Sequence, residues 1–182
     1  MTNLYTDVPT YSNEEKNEFN VVIDIPKGSN NKYEYDEKGG YFHLDRALYT
    51  PTVYPFEYGF VPQTHAGDGD AIDVALLLTF PVFSGCVIKC RAIGCIKASD
   101  QDGEDEKVIA VPISKVDPRW DEVQSYTDLP KHFQEELSIF FKEYKKLEKE
   151  KYDKVVIKGF GTKEEAVEMI KTARATFMQH HS

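Results

Sequence analysis

Short apolar runs, separated by clusters of turn-forming residues, fill the chain between Phe19 and about Val116. Runs of about four to eight residues with apolar alternation are typical of β-strands. The intervening clusters, such as Glu37-Lys38-Gly39-Gly40, offer glycine where a turn needs positive φ. The runs predict strands at Val21–Ile25, Lys32–Tyr35, Tyr41–His43, Tyr58–Val61, Ala71–Leu78, Val87–Lys97 and Lys107–Pro112. Their spacing predicts a barrel or a sandwich.

The periodicity becomes helical after Trp120. Leu129-Pro130 can begin a helix, and apolar residues then recur at helical spacing from Phe133 to Leu147. This pattern predicts an amphipathic helix of about five turns.

One more strand and a last helix are predicted near the end of the sequence. Lys154–Lys158 has the composition of a strand, and Thr162 and Glu165 have the spacing of a helix-capping box. The inner face of that helix is predicted to carry Ala166, Val167, Ile170, Ala173 and Phe177. Since no repeat or linker divides the chain, we expect one domain over residues 1–182, a β-barrel with peripheral helices.

Composition excludes several classes of protein. The formal charge of −9 and the pI near 5.1 disfavour a general nucleic-acid binder, which needs a basic face. The three cysteines are odd in number and lie between Cys86 and Cys95 on a predicted strand, so a disulfide framework is not expected. No signal peptide or membrane-spanning run is recognisable. We therefore expect a cytoplasmic protein that binds neither nucleic acid nor membrane.

Three acids surround a glycine turn at Asp68-Gly69-Asp70-Ala71-Ile72-Asp73, directly before a buried strand. Carboxylates this close repel one another unless a cation neutralises them. Oxygen ligands without neighbouring His or Cys favour Mg²⁺, Ca²⁺ or Mn²⁺. The alternative is a solvated turn, because Asp and Gly are ordinary turn formers. This segment alone leaves the two interpretations open.

A second acidic cluster, from Asp100 to Lys107, joins two predicted strands. Asp105 and Lys107 are two residues apart, so on a strand they would project from the same face. That face could hold a cation beside an anion, although for the octapeptide alone a hairpin loop with solubilising charges is the favoured explanation. Neither cluster is an EF-hand loop, since Asp73 and Asp105 stand where that loop requires glycine.

Basic and phenolic side chains occur in a complementary pattern. Lys32 and Glu34 alternate on a strand and share a face, pairing a phosphate-type donor with a metal-type acceptor. Arg46 could bind an anion with two donors, although beside Asp45 it could equally be a surface ion pair. Tyr144-Lys145 lies on the predicted helix.

In order along the chain, these segments resemble the soluble family I inorganic pyrophosphatases, of the bacterial type. The resemblance covers nearly the whole chain and rests on Asp68-Gly69-Asp70-Ala71-Ile72-Asp73-Val74, Val22-Ile23-Asp24-Ile25-Pro26, Lys32-Tyr33-Glu34, Asp45-Arg46, Tyr54-Pro55, Tyr58-Gly59, Gly103-Glu104-Asp105, Lys107 and Tyr144-Lys145. It implies an α+β fold, an OB-like five-stranded closed β-barrel with flanking α-helices. It also implies hydrolysis of pyrophosphate to two phosphates by direct attack of Mg-activated water.

The resemblance further implies roles for individual residues. Asp70 would be the general base. The expected metal ligands are Asp68, Asp73, Asp100, Asp105 and Glu34, with several Mg²⁺ ions per site and Mn²⁺ or Zn²⁺ as substitutes. The expected contacts to the phosphoryl groups are Lys32, Arg46, Tyr58, Lys107, Tyr144 and Lys145. Bacterial relatives are typically hexamers, which implies a homohexamer.

Two positions depart from the family pattern. Ala71 replaces a residue that is usually Pro or Glu, and Asp24 replaces a residue that is usually Glu. The shorter Asp24 side chain is expected to weaken any contact with a metal-bound water, whereas Ala71 is expected to alter only turn stiffness.

Two other functions share part of the pattern. A non-catalytic divalent-cation binder would explain both acidic clusters but would leave Lys32, Arg46 and Lys107 without a role. A metal-dependent nuclease or phosphoesterase would also use clustered Asp residues, but the negative net charge disfavours a long nucleic-acid substrate.

Overall fold

The computed structural model describes residues 2–67, 69–100 and 103–181. Its strands are β1 Tyr11–Asn13, β2 Glu18–Ile25, β3 Asn31–Asp36, β4 Tyr41–Ala47, β5 Glu57–Val61, β6 Ile72–Leu76, β7 Val87–Asp100, β8 Gly103–Glu104, β9 Lys107–Pro112 and β10 Val156–Gly161. Its α-helices are α1 Lys131–Glu143, α2 Lys149–Tyr152 and α3 Lys163–His180. None of the described helices is long and apolar enough to cross a membrane.

Five strands close into a barrel in the order β2-β5-β6-β9-β7, and β7 pairs back onto β2. The β6–β9 pair is parallel, with Val74 opposite Val108, and the other four pairs are antiparallel. The predicted OB-like five-stranded closed barrel with flanking helices is therefore confirmed.

Alternation along β6 divides the apolar core between two sides of the sheet. Ile72, Val74 and Leu76 join a cluster that α3 covers. Ala75 and the following Leu77 join a second cluster, against which α1 packs Leu137, Phe140 and Phe141. Because side chains alternate along a strand, Asp73 projects to the same side as Ala75. The buried strand thereby fixes the direction of a carboxylate.

Gly59 allows β2 to lie close to β5. A Cβ at this position would come within 2.0 Å of the carbonyl oxygen of Val22. Only glycine fits without a backbone shift, and the neighbouring Tyr58 is held in place by the same close strand pair.

The helical region differs from the prediction. Helix α1 ends at Glu143 instead of continuing to Leu147, whose side chain is 56% exposed. After Tyr144 the chain turns, with the amide of Lys146 donating to the carbonyl of Glu143 and that of Glu148 donating to Lys145. The predicted five-turn helix is wrong, because the apolar spacing continued by chance into a turn that buries only Tyr144.

Strand boundaries are shifted as well: β4 extends to Ala47 and β7 to Asp100, beyond their predicted ends at His43 and Lys97. β6 spans Ile72–Leu76 rather than Ala71–Leu78, and β10 spans Val156–Gly161 rather than beginning at Lys154. Lys154 belongs to a turn that follows α2, since its amide donates to the carbonyl of Lys151. The predicted capping box of Thr162 and Glu165 is present at the start of α3.

Strands β3 and β4 form a separate two-stranded sheet, which we call the hairpin. Lys32 lies opposite Arg46 in its register, and Glu34 lies opposite His43. Within the part of the chain that the structure describes, these two strands pair only with each other. The hairpin therefore depends on side-chain contacts for its position over the barrel.

Candidate active site

A polar cavity of about 740 Å³ lies between the barrel, the hairpin and the turn after α1. Of the twelve side chains predicted from the sequence, Asp68 lies outside the described residues. The other eleven all line this cavity: Lys32, Glu34, Arg46, Tyr58, Asp70, Asp73, Asp100, Asp105, Lys107, Tyr144 and Lys145. The structure thus brings together residues that are up to 113 positions apart in the sequence (145 − 32).

The barrel strands and the residue pair that precedes β9 supply what we call the floor of the cavity: Asp24, Tyr58, Asp73 and Lys107 from the strands, and Asp105 from the connection between β8 and β9. The parallel β6–β9 register brings Asp73 beside Lys107, whose ammonium lies 2.8 Å from Oδ2 of Asp73 and also contacts Asp105. The Tyr58 hydroxyl donates to the same Oδ2 at 2.6 Å. One carboxylate oxygen of Asp73 therefore has two donors.

Burial and charge act against each other at Lys107, whose side chain is 5% exposed. Burial alone lowers the pKa of an ammonium group, but Asp73 and Asp105 outweigh it and raise the pKa of Lys107 above its ordinary value. Lys107 is therefore a buried fixed cation. Burial raises the pKa of Tyr58 well above its ordinary value, and Asp73 adds to this effect, so the phenol stays neutral and donates.

Asp24, at the end of β2, is the least satisfied acid of the floor. It is buried, and its Oδ1 has no hydrogen-bond partner among the described residues. Burial, with a smaller contribution from Asp73, raises its pKa well above the ordinary range. The ionised form of Asp24 is therefore costly until a cation comes near it.

The hairpin supplies the rim of the cavity, which we define as Lys32, Glu34, Asp45 and Arg46. Lys32 pairs with Glu34 and lies 3.6 Å from Asp45. Arg46 pairs with Asp45 on one side and with Glu148, at 3.0 Å, on the other. Burial would raise the pKa of Asp45, but Lys32 and Arg46 outweigh it and lower the pKa.

The turn after α1 closes the opposite wall. Lys145 lies 3.2 Å from Oδ2 of Asp100, at the end of β7. Tyr144 is buried against Tyr54 and Phe140, and its carbonyl accepts a hydrogen bond from Thr50. The aromatic cluster thus fixes the point from which Lys145 enters the cavity.

Asp70 lies in the loop between β5 and β6. Its carbonyl accepts from the amide of Ala66 at 2.8 Å, and the side-chain hydroxyl of Thr64 accepts from the amide of Ile72 at 3.0 Å. The hydroxyl of Tyr5 donates to the carbonyl of Thr64. Hydrogen bonds from the backbone and from two hydroxyl groups therefore hold the segment that carries Asp70.

The donor set suits a hard divalent cation. In residues 2–67, 69–100 and 103–181, no three Asp, Glu, His or Cys side chains already form a metal-binding group. The acids that face the cavity nevertheless offer only oxygen ligands, and the buried Oδ1 of Asp24 lacks a partner among the described residues. Carboxylate oxygens are the preferred ligands of Mg²⁺.

Several cavity residues were not predicted from the sequence. Glu37, from the β3–β4 turn, and Lys151, from α2, also line the cavity. Burial raises the pKa of Glu37, and Asp70 raises it further. Asp24 was noticed only as a departure from a family pattern, although an acid within an apolar strand is itself a signal. Glu148, which pairs with Arg46 but does not line the cavity, was hidden in a run of surface-type charges.

Comparisons with known proteins agree with this architecture. The family model described as inorganic pyrophosphatase matches residues 21–178. An inorganic pyrophosphatase of Saccharolobus solfataricus is 48% identical over 156 residues, which cover 86% of this chain and 90% of that protein. One of Leifsonia xyli is 46% identical over 157 residues, covering 86% and 94%. The crystal structure of an inorganic pyrophosphatase from Thermus thermophilus superposes with a TM-score of 0.90 at 36% identity, covering 97% of this chain and 99% of that one. The chain therefore belongs to the inorganic pyrophosphatase family.

Proposed function

We propose that this protein hydrolyses inorganic pyrophosphate to two phosphates. The observation that carries the proposal is the pairing inside the cavity, where each cationic group faces a carboxylate: Lys107 faces Asp73 and Asp105, and Lys145 faces Asp100. A magnesium salt of pyrophosphate can replace both kinds of partner, since its cations suit the acids and its phosphoryl oxygens suit the ammonium groups. Membership of the family supports this substrate.

The cationic side chains bind and orient the two phosphoryl groups. Lys32 and Arg46 reach the substrate from the rim, Lys107 from the floor, and Lys145 from the opposite wall. Tyr58 and Tyr144 add neutral hydroxyl donors. Because the floor donors are held by the barrel, their dipoles and charges are oriented before the reaction begins, which favours charge that develops on the transferred and leaving phosphoryl groups.

The acids hold divalent cations, with Mg²⁺ as the expected ion and Mn²⁺ or Zn²⁺ as substitutes. The proposed ligands are Asp68, Asp73, Asp100, Asp105 and Glu34. When bound, such cations neutralise phosphoryl charge and lower the pKa of a water molecule towards neutrality. Asp24 adds an unpaired oxygen beneath this set.

Asp70 accepts the proton of the attacking water. It lines the cavity, yet its loop is anchored by backbone hydrogen bonds, so its carboxylate can be positioned without serving as a main metal ligand. Water attacks directly, and no covalent intermediate forms on the protein. Turnover should therefore depend on Asp70 more than metal binding does.

Phosphate release from pyrophosphate in Mg²⁺ tests the proposal, with parallel reactions in Ca²⁺ and with a phosphomonoester or a nucleotide as substrate. We expect turnover of pyrophosphate in Mg²⁺ and little with the monoester. Preference for the monoester would favour a phosphoesterase, and cation binding without any turnover would favour a cation-binding protein.

Asp70→Asn tests the role of the base. We expect Mg²⁺ affinity within about tenfold of the wild type and a loss of turnover of at least about 10², the usual contribution of a general base. Titration calorimetry with Mg²⁺ and steady-state kinetics separate the two effects. Near-normal turnover would remove Asp70 from this role.

We also infer a homohexamer in the cytoplasm. Light scattering after gel filtration would give six times the chain mass of 20.8 kDa. A mass of one chain at assay concentration would contradict this assembly.

A further inference from the structure

Glu148 contacts two residues that line the cavity, Arg46 through two hydrogen bonds and Lys151 at 3.9 Å. It precedes α2, and its side chain is 8% exposed. Its Oε1 accepts from Nε of Arg46 at 3.1 Å and from Nη2 at 3.0 Å. The two residues are 102 positions apart, so the pair ties the hairpin to the turn that follows α1.

The two carboxylates around Arg46 grip different edges of its guanidinium. Glu148 occupies the edge formed by Nε and Nη2, whereas Asp45 contacts Nη1. Asp45, at 29% exposure, is the more accessible of the two. Because a guanidinium has five N–H donors in a rigid plane, fixing one edge fixes the direction of the terminal Nη1–Nη2 edge.

The position of each carboxylate relative to the cavity differs as well. Arg46 and Asp45 line the cavity, but Glu148 does not. Glu148 therefore binds the guanidinium from outside the cavity, where it does not compete with a ligand. A phosphoryl oxygen entering the cavity would meet the terminal edge of Arg46 and would displace Asp45 rather than Glu148.

We propose that Glu148 is a positioning residue that holds Arg46 by its Nε–Nη2 edge and presents the Nη1–Nη2 edge to a phosphoryl group of the substrate. The proposal rests on the function proposed above for this cavity. The same contact sets the spacing between Arg46 and Lys145, since Glu148 and Lys145 share one turn. Loss of Glu148 should therefore weaken substrate binding more than it slows the chemical step.

Glu148→Gln, which keeps the shape but removes the charge, is the main variant. With pyrophosphate and Mg²⁺ we expect KM to rise about tenfold and kcat to stay within about threefold, because two charge-assisted hydrogen bonds are weakened. Glu148→Asp keeps the charge on a shorter side chain, so its KM should rise less than that of Glu148→Gln. Glu143→Gln is the matched control, because Glu143 pairs with Lys146 on the same segment but does not contact the cavity. Its KM should be unchanged.

The Arg46→Lys background tests whether Glu148 acts through Arg46. A lysine has no Nε–Nη2 edge for Glu148 to hold, so adding Glu148→Gln should change KM by less than about threefold in this background. A further tenfold rise in KM would show that Glu148 acts independently of Arg46 and would overturn the proposal. So would a fall in KM, which would make Glu148 a competitor for the guanidinium, or a lowered thermal midpoint with unchanged KM, which would make its role merely structural.

Two measurements on the wild type distinguish this inference from the proposed function. Calorimetric binding of imidodiphosphate with Mg²⁺ and turnover of pyrophosphate must both be seen for the function to stand. Phenylglyoxal labelling, resolved by peptide mass, reports the freedom of Arg46 whatever the substrate is, and it should increase in Glu148→Gln but not in Glu143→Gln. Normal wild-type turnover with unchanged labelling and KM in Glu148→Gln would contradict the positioning role alone.

Discussion

The floor and the rim of the cavity use the same kinds of ion pair but hold them in different ways. On the floor, Asp73 and Lys107 project from adjacent strands of a closed barrel, and Lys107 is almost fully buried. On the rim, Lys32 and Arg46 project from a hairpin whose strands pair only with each other within the described residues. The floor is thus fixed by the backbone of the barrel, whereas the rim is fixed by its side chains.

This difference suggests a division of labour. A buried charge that loses its partner is costly, so a floor substitution should alter stability and turnover together. The ion pairs of the rim lie closer to solvent than Lys107 does, and such pairs contribute less to stability, so a rim substitution should alter substrate binding more than folding. The predictions below test this contrast, starting from the largest expected effect on stability.

Lys107→Met should have the largest effect. The substitution leaves Asp73 and Asp105 facing each other without their shared cation. In a chelator, we expect the free energy of unfolding to fall by about 3 kcal/mol, as is typical when one partner of a buried pair is removed. Turnover should fall by at least about 10², because a donor aimed at the developing charge is lost. Urea denaturation and phosphate release measure the two effects, and added Mg²⁺ should restore part of the stability. A stable, active variant would refute the preorganised floor.

Asp24→Asn should stabilise the protein in a manner that depends on pH. Burial raises the pKa of Asp24 in the folded state. The protein therefore has its full stability below the unfolded pKa, near 3.9, where Asp24 is protonated in both states, and it loses stability as pH rises through the folded pKa and the buried carboxyl ionises. Asn cannot ionise, so the variant does not lose this stability at high pH. In a chelator, we expect a gain of about 2 kcal/mol at pH 8 and almost none at pH 3.5 by urea denaturation.

Asp45→Asn on the rim is the matched control with the opposite sign. The pKa of Asp45 is lowered by Lys32 and Arg46, so its contribution to stability is present above pH 4 and is lost as pH falls through the lowered pKa. Its substitution should destabilise the protein at pH 8. Two Asp→Asn variants with the same sign at pH 8 would contradict the contrast between floor and rim.

Tyr58→Phe should have an intermediate effect. The phenol donates to Asp73 at 2.6 Å, and Phe keeps the buried ring while removing this bond. We expect a loss of about 1.5 kcal/mol, the lower end for a hydrogen bond to a charged group, and a several-fold loss of kcat. Tyr152→Phe is the control, because its hydroxyl also donates to a carboxylate, that of Glu143, but away from the cavity. Tyr152→Phe should leave kcat unchanged. If kcat fell equally in both variants, the effect of Tyr58 on kcat would not depend on its place in the cavity, and Tyr58 would act only on folding.

The floor was easier to predict from the sequence than the rim. Alternation along the run that became β6 fixed the side on which Asp73 projects. The two-residue spacing of Asp105 and Lys107 predicted only a shared face on a strand; the structure places Asp105 just before β9, in contact with Lys107. These are local patterns. The partner of Arg46 is Glu148, 102 residues later, in a segment wrongly predicted to continue a helix. No local pattern identifies such a pair, because it depends on where the hairpin and the turn after α1 meet.

Lys32→Ala should have the smallest effect on stability and a clear effect on binding. Lys32 is 20% exposed and pairs with Glu34 and Asp45 on the rim, so its loss should change the free energy of unfolding by only about 0.5 kcal/mol. KM for pyrophosphate should nevertheless rise about tenfold, because one charged contact to a phosphoryl group is lost while the floor is unaltered. Lys158→Ala is the matched control, since Lys158 also pairs with a glutamate, Glu104, but lies outside the cavity. If Lys32→Ala destabilised the protein as strongly as Lys107→Met, the hairpin would be part of the rigid framework, and rim and floor would act as one unit.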